Sequence, residues 1–131
     1  MDEGSRAEAL SWLDRARDDL GAAKKLLSGD DPYPATAAYH CQQCAEKALK
    51  AVLSTTAQPI PKTHDLRVLL ALSANVESVL TRFTDAAEFL TPFATEFRYP
   101  SAMPDPTQTD VAEAIRLADE ILTTVESRIM S

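Results

Sequence analysis

The chain has 131 residues, 45% of them hydrophobic and 25% charged, and this balance excludes a largely disordered protein. Its formal net charge of −7 argues against an extensive nucleic-acid-binding surface, which needs clustered Lys and Arg, but it leaves room for a local basic pocket. The longest apolar run, residues 68–72, is far shorter than the ~20 residues of a membrane-spanning helix. The first residues also lack the features of a signal peptide, so we expect one domain over 1–131 in the cytoplasm, with no membrane segment.

Prolines divide the sequence into helical segments. Seven of the eight fall in three clusters, Pro32/Pro34, Pro59/Pro61 and Pro100/Pro104/Pro106. Because proline lacks an amide donor and clashes with the preceding turn, these clusters mark breaks between helices. The segments between them show helical periodicity without the alternation that is typical of strands.

The first two segments predict long amphipathic helices, from about Ser5 to Ser28 and from about Ala35 to Thr55. Gly29 suits a left-handed cap at the end of the first. The apolar stripe of the first is Ala9, Leu13, Ala16, Leu20, Ala23 and Leu27. That of the second is Cys41, Ala45, Ala48, Leu49 and Val52, with a polar stripe of His40, Gln43, Lys47 and Lys50 elsewhere on its surface.

Three further helices complete the prediction. Thr63 is the expected N-cap of a short third helix that runs through Leu72, and Asn75 is expected to end it. A fourth helix begins near Val76 and extends to Arg98, and Pro92 either kinks it or restarts it with Thr91 as cap. The fifth is predicted over 109–129, with an apolar stripe of Val111, Ile115, Ala118, Leu122, Val125 and Ile129.

These helices predict an all-α fold. Each long helix has one apolar face, and an isolated amphipathic helix gains most of its stability by packing that face. Four long helices and one short helix with short joints favour an antiparallel up-and-down bundle.

Two clusters allow both a chemical and a structural interpretation. Cys41 and Cys44 could bind a metal or undergo redox chemistry, but too few further ligands are present, and small buried side chains are the favoured interpretation. Asp14, Asp18 and Asp19 could bind Mg²⁺, although the interleaved arginines favour a solvated surface. We therefore expect neither a metal nor a cofactor.

The segment Tyr39-His40-Cys41-Gln42-Gln43-Cys44-Ala45-Glu46-Lys47-Ala48-Leu49-Lys50 resembles the second-helix signature of HEPN domains. Three other segments agree with that family in order and spacing: Trp12 with Ala16 and Asp19-Leu20, Lys62-Thr63-His64-Asp65-Leu66, and Arg98-Tyr99-Pro100. The resemblance covers nearly the whole chain, and four segments in the right order are more specific than any one of them.

The resemblance implies a helical up-and-down bundle that is usually a homodimer. Within that family, small stand-alone members look like binding partners of minimal nucleotidyltransferases. Other branches are metal-independent ribonucleases in toxin–antitoxin systems. Those ribonucleases use an Arg followed four to six residues later by a His. Here neither His40 nor His64 follows an arginine at that spacing, and no histidine follows Arg98. The resemblance therefore implies a non-catalytic subunit with no catalytic residue, and a ribonuclease with a non-standard site is the alternative.

The candidate nucleotide-binding residues are cations and hydrogen-bond donors. His40, Gln43, Lys47 and Lys50 advance by three or four residues, so they share one helix face that could hold a phosphate. The competing interpretation is a solvated face on which Glu46 pairs with Lys50.

Two further groups lie at helix ends. Lys62 and His64 precede a helix start, where exposed amides favour an anion, although plain capping by Thr63 also explains this segment. Arg98 lies at a predicted helix end, where it can bind terminal carbonyls or a phosphate, and the resemblance favours the phosphate.

A third class of function is a dimerisation module whose surface binds another protein. An extensive exposed apolar patch would favour it.

Overall fold

The computed structural model describes residues 1–96, 100 and 104–131, and this part of the chain is helical without any strand. The α-helices are α1 (Glu3–Leu27), α2 (Pro34–Ser54), α3 (Leu66–Val76), α4 (Thr84–Leu90) and α5 (Gln108–Ile129). Two 3₁₀ segments, Ser78–Phe83 and Thr91–Ala94, flank α4. The predicted all-α bundle is confirmed. None of the helices described has the length and apolarity needed to cross a membrane.

Local chemistry sets the ends of α1. The Asp2 carboxylate caps its first turn by accepting the Ser5 amide at 2.7 Å. The helix ends at Leu27, and Gly29 follows with a φ of +88°, a left-handed conformation that glycine adopts without strain. The predicted left-handed glycine at this end is therefore confirmed.

Helix α2 lies at the centre of the bundle. It packs against α1, α3, α5 and the second 3₁₀ segment, so it has almost no free face. The predicted apolar stripe is buried, and small side chains such as Ala38 and Ala51 let the neighbouring helices approach closely. Gln42, Glu46 and Lys50 are buried as well. The prediction that Lys50 belongs to a surface stripe is therefore wrong, because neighbouring elements cover this side of α2.

Helix α3 begins later and ends later than predicted. Its N-cap is Asp65, whose carboxylate accepts the Arg67 amide at 2.9 Å, and the predicted cap, Thr63, instead accepts the Asp65 amide at 3.1 Å. The helix continues to Val76 because no proline or glycine interrupts it after Leu72. The prediction placed the cap too early in the chain because both side chains are good capping groups.

The fourth predicted helix is divided into the first 3₁₀ segment, α4 and the second 3₁₀ segment. The hydroxyls of Thr81 and Thr84 donate to carbonyls three residues earlier, at 2.8 and 2.9 Å, and such bonds compete with regular helix geometry. Pro92 cannot donate an amide, and it lies in the first turn of the second 3₁₀ segment. The predicted end at Arg98 lies outside the described residues.

Helix α5 returns across α1 and α2. It begins with a capping box in which Thr107 accepts the Asp110 amide and the Asp110 carboxylate accepts the Thr107 amide. Its predicted stripe is buried except for Ile115, which is partly buried. Near its end, Glu126 accepts the Arg17 guanidinium at 2.6 Å, which joins α5 to α1.

Candidate functional site

A buried carboxylate on α1 holds two of the predicted site residues. Asp19 is 8% exposed and lies where α1 packs against α2. Its Oδ1 is 2.8 Å from the Nδ1 of His40, and its Oδ2 accepts the Nζ of Lys47 at 2.6 Å. The two partners are seven residues apart on α2, so Asp19 bridges two turns of that helix. We call Asp19, His40 and Lys47 the Asp19 cluster.

A second buried carboxylate lies on α2 itself. Glu46 is 4% exposed, and its Oε2 accepts the Nζ of Lys50 at 3.0 Å, one turn along the helix. Its Oε1 is 2.7 Å from the Nδ1 of His64, which lies in the segment before α3. The Nε2 of Gln42 donates to the same Oε1 at 3.3 Å. We call Glu46, Lys50, His64 and Gln42 the Glu46 cluster.

Two adjacent glutamines connect the segment before α3 with the surface of α2. Gln42 donates to the His64 carbonyl at 2.8 Å, which ties that segment to the central helix. Gln43 donates to the Oε1 of Gln42 at 2.7 Å. Because Gln43 lies between His40 and Lys47 on α2, its bond to Gln42 joins the two clusters. Only their partly exposed members, His40, Gln43, Lys47 and His64, form a polar surface.

In both histidines, Nε2 is the ring nitrogen that remains available to a ligand. Both rings face a buried carboxylate through Nδ1, so a neutral ring that donates from Nδ1 has an accepting Nε2. Neither Nε2 has a hydrogen-bond partner among the residues described. The His64 side chain is 67% exposed and that of His40 is 27% exposed. In both histidines, the carboxylate fixes the orientation of the ring through Nδ1, while part of the ring remains exposed to solvent.

Charge within the clusters is largely balanced. Asp19 neutralises Lys47, and Glu46 neutralises Lys50. In low-dielectric surroundings such pairs resist separation, because each freed charge would have to be solvated again. The surface therefore offers oriented hydrogen-bond donors and acceptors rather than an excess of positive charge.

The structure brings most of the predicted site residues into the two clusters. His40 and Lys47 belong to the Asp19 cluster, and Lys50 and His64 belong to the Glu46 cluster. Gln43 donates to Gln42 of the Glu46 cluster. Lys62 is exposed near His64 in the chain and has no side-chain hydrogen bond or ion pair to any residue described. Arg98 lies outside the described residues.

The buried carboxylates were not among the predicted site residues, although the sequence contained a signal for each. The interleaved arginines place Asp19 with Asp14 and Asp18 on a predicted solvated surface. Asp19 lies three residues after Ala16 and four before Ala23, on the apolar stripe, and this position indicates burial. Glu46 lies midway between Gln42 and Lys50 at intervals of four residues, so all three share one side of α2.

The two cysteines are fully buried in the core, which confirms their interpretation as small buried side chains. Burial raises the pKa of the Cys41 thiol from 9.0 to about 12, and it also raises the pKa of Cys44. Such thiols stay protonated and unreactive at neutral pH. Within the described ranges, no group of three or more His, Cys, Asp or Glu side chains is arranged to hold a metal ion.

Alkaline pH is expected to destabilise the protein through Cys41. As the pH rises, the thiol of the unfolded chain, with its ordinary pKa of 9.0, loses its proton before the thiol of the folded chain does. The unfolded state then binds fewer protons than the folded state, so the free energy of unfolding falls above pH 9. At pH 10 the loss from this thiol is about 1.4 kcal/mol relative to pH 8. Urea unfolding of the wild type and of Cys41→Ala at both pH values measures it. An identical pH dependence in the two proteins would contradict the shifted pKa.

Comparisons with known proteins agree with the helical architecture. The family described as HEPN domain matches residues 9–128. The crystal structure of TT1696 from Thermus thermophilus is similar, with a TM-score of 0.80 and 34% sequence identity over 92% of this chain and 97% of that chain. No curated protein matches. The family match spans nearly the whole length and includes both clusters, and the chain therefore belongs to the HEPN domain family.

Proposed function

We propose that this chain is a non-catalytic, nucleotide-binding HEPN subunit. In this proposal it is a single cytoplasmic domain over 1–131 that forms a homodimer and pairs with a minimal nucleotidyltransferase, in a toxin–antitoxin module. The observation that carries the nucleotide-binding part is the orientation of His40 and His64. Each is held through Nδ1 by a buried carboxylate, and no described residue occupies its Nε2. Membership of the family supports the partner and the dimer.

The charge of the polar surface favours a small ligand. A long nucleic acid is bound mainly through many Lys and Arg contacts to phosphate. Here Lys47 and Lys50 are each paired with a carboxylate, and the whole chain carries a net charge of −7. A mononucleotide needs only a few directed hydrogen bonds, which His40, Gln43, His64 and the exposed Lys62 can supply.

An exposed apolar stripe supports self-association. Val68, Leu72 and Val76 advance by four residues along α3, so they lie on one face, and each is at least 38% exposed. Contiguous exposed apolar surface commonly marks a protein–protein contact. In the proposal this stripe contributes to the homodimer.

Binding of nucleotide and of the partner tests the proposal. Calorimetry at physiological salt should detect AMP or ATP binding, and Arg98→Ala and Lys62→Ala should each weaken it about tenfold or more, as expected for loss of a charge-assisted contact. Lys25→Ala is the matched control, because Lys25 is an exposed cation at the end of α1.

Light scattering should give twice the 14.3 kDa chain mass, and a minimal nucleotidyltransferase encoded beside this chain should co-purify with it. Absence of both nucleotide and transferase binding would disprove the proposal.

A ribonuclease is the second candidate, and the Glu46–His64 pair favours it. A carboxylate that holds Nδ1 of an exposed imidazole is an arrangement used for general acid–base catalysis. One histidine would accept the proton of the RNA 2′-hydroxyl as that oxygen attacks phosphorus, and the other would protonate the departing 5′-oxygen. RNA cleavage by the purified protein that is lost in His64→Ala, but retained in Lys25→Ala, would establish this activity, and an absence of cleavage would exclude it.

A further inference from the structure

A cavity of about 450 Å³ opens between the first half of α1 and the segment that follows α2. Trp12 and Glu8 line it from α1, and Ser54, Gln58 and Ile60 line it from the end of α2 and the segment beyond. Its volume lies within the roughly 300–1,000 Å³ that is typical of small-molecule sites. Among the described residues that were predicted to bind a nucleotide, none lines this cavity.

The indole of Trp12 is a fixed wall of the cavity. The side chain is partly buried and packs against the core. The Nζ of Lys50 lies 5.8 Å from the ring centroid, and the same Nζ is held by Glu46 at 3.0 Å. The cation contact and the core packing together restrict the ring. A restricted aromatic ring is a favourable platform for a planar heterocycle, since little side-chain freedom is lost when the heterocycle stacks on it.

Polar side chains that have no internal partner line the same cavity. Neither the Glu8 carboxylate nor the Gln58 side-chain amide forms a hydrogen bond with any residue described. A carboxylate only accepts hydrogen bonds, whereas an amide both donates and accepts. The cavity thus combines an aromatic wall with groups that can bind the edge of a base, and the carboxylate favours a base that carries an amino group.

The cavity is connected to the polar surface of α2. Lys50, which contacts Trp12, belongs to the Glu46 cluster, and that cluster also contains His64. The chain that lines the cavity up to Ile60 continues directly to Lys62 and His64. Lys62 is therefore an exposed cation two residues beyond the lining of the cavity, and an ammonium group can bind a phosphate.

We propose that the Trp12 cavity binds the base of a nucleotide, with adenine, cytosine or guanine preferred over uracil. This inference rests on the proposed nucleotide-binding function and adds the base-binding part of the site. Trp12 stacks on the base, Glu8 accepts its amino group, and Gln58 binds the remaining polar edge.

Intrinsic fluorescence offers a direct test, because Trp12 is the only tryptophan of the chain. AMP should quench its emission saturably, whereas ribose 5-phosphate, which has the sugar and phosphate but no base, should not. UMP should bind several-fold more weakly than AMP or CMP. Excitation at the long-wavelength edge of the indole band avoids absorption by the bases.

Calorimetry on variants separates stacking from structural effects. Trp12→Ala should weaken AMP binding about tenfold or more, and Trp12→Phe should retain most of it, because the flat ring is kept. Glu8→Gln should remove the preference for AMP over UMP. Glu88→Gln is the matched control, because it makes the same charge change at an exposed position of α4, and it should leave the preference unchanged. Circular dichroism confirms that each variant is folded.

The outcomes distinguish this inference from the proposed function. If AMP and ribose 5-phosphate bind equally well, or if Trp12→Ala binds AMP with unchanged affinity, the base site is disproved while nucleotide binding stands. If AMP quenches Trp12 but Lys62→Ala and Arg98→Ala do not weaken its binding, the base site stands and the assigned phosphate contacts fail. If no nucleotide binds at all, the base site and nucleotide binding both fail.

Discussion

Replacing Glu46 by alanine is expected to lower the free energy of unfolding by about 3–5 kcal/mol, the range observed when one partner of a buried ion pair is removed. Glu46 is the shared acceptor for Lys50, His64 and Gln42, and its side chain is only 5% exposed. Without it, the buried ammonium of Lys50 loses its counter-charge, and the segment before α3 loses a contact to α2.

The exposed pair of Arg116 and Glu120 provides a matched control. It has the same four-residue spacing on a helix, with an Arg116–Glu120 distance of 2.7 Å, but both side chains are about half exposed. Glu120→Ala should therefore cost no more than about 1 kcal/mol. Chemical denaturation of the two variants measures the difference. Equal losses would show that burial contributes nothing to the strength of the Glu46 cluster.

Leu49→Ala is expected to cost about 2–5 kcal/mol, the usual range for truncation of a buried leucine. Leu49 is 1% exposed and lies on the face of α2 that the sequence assigns to the core. Deletion of its isobutyl group removes apolar contacts and leaves a cavity that the surrounding helices cannot fully close.

Leu72→Ala is the control for this substitution. Leu72 is 38% exposed on α3, so its truncation should change the stability of the monomer by about 0.5 kcal/mol or less. Denaturation at low protein concentration, where the proposed dimer dissociates, gives the comparison. A Leu49→Ala protein as stable as the Leu72→Ala protein would contradict the central position of α2.

Much of the fold could be predicted from the sequence because prolines and apolar periodicity are local signals. The bounds of α1, α2 and α5 differ from the prediction by at most two residues. The segment from the end of α3 to Ala94 was predicted less well, because periodicity cannot distinguish a continuous α-helix from short α and 3₁₀ segments. The hydroxyls of Thr81 and Thr84 and the position of Pro92 determine that difference.

The site was less predictable because its partners come from different elements. The sequence indicated that His40 and Lys47 share a face of α2, but the approach of Asp19 from α1 depends on how the two helices pack. Likewise, Glu46 and Lys50 are a predictable pair, whereas the arrival of His64 from another segment is a tertiary contact. The cavity beside Trp12 could not be predicted either, because it depends on where the segment after α2 lies.

The antiparallel contact between α1 and α2 has a consequence for the order of assembly. These neighbours in sequence form the most extensive interface between helices in the described part of the chain, and only a short joint at 28–33 separates them. Closing such a short loop costs little chain entropy, whereas α5 must return from more than fifty residues away. We therefore expect the α1–α2 hairpin to form early on the ribosome and to act as the nucleus on which the later helices condense.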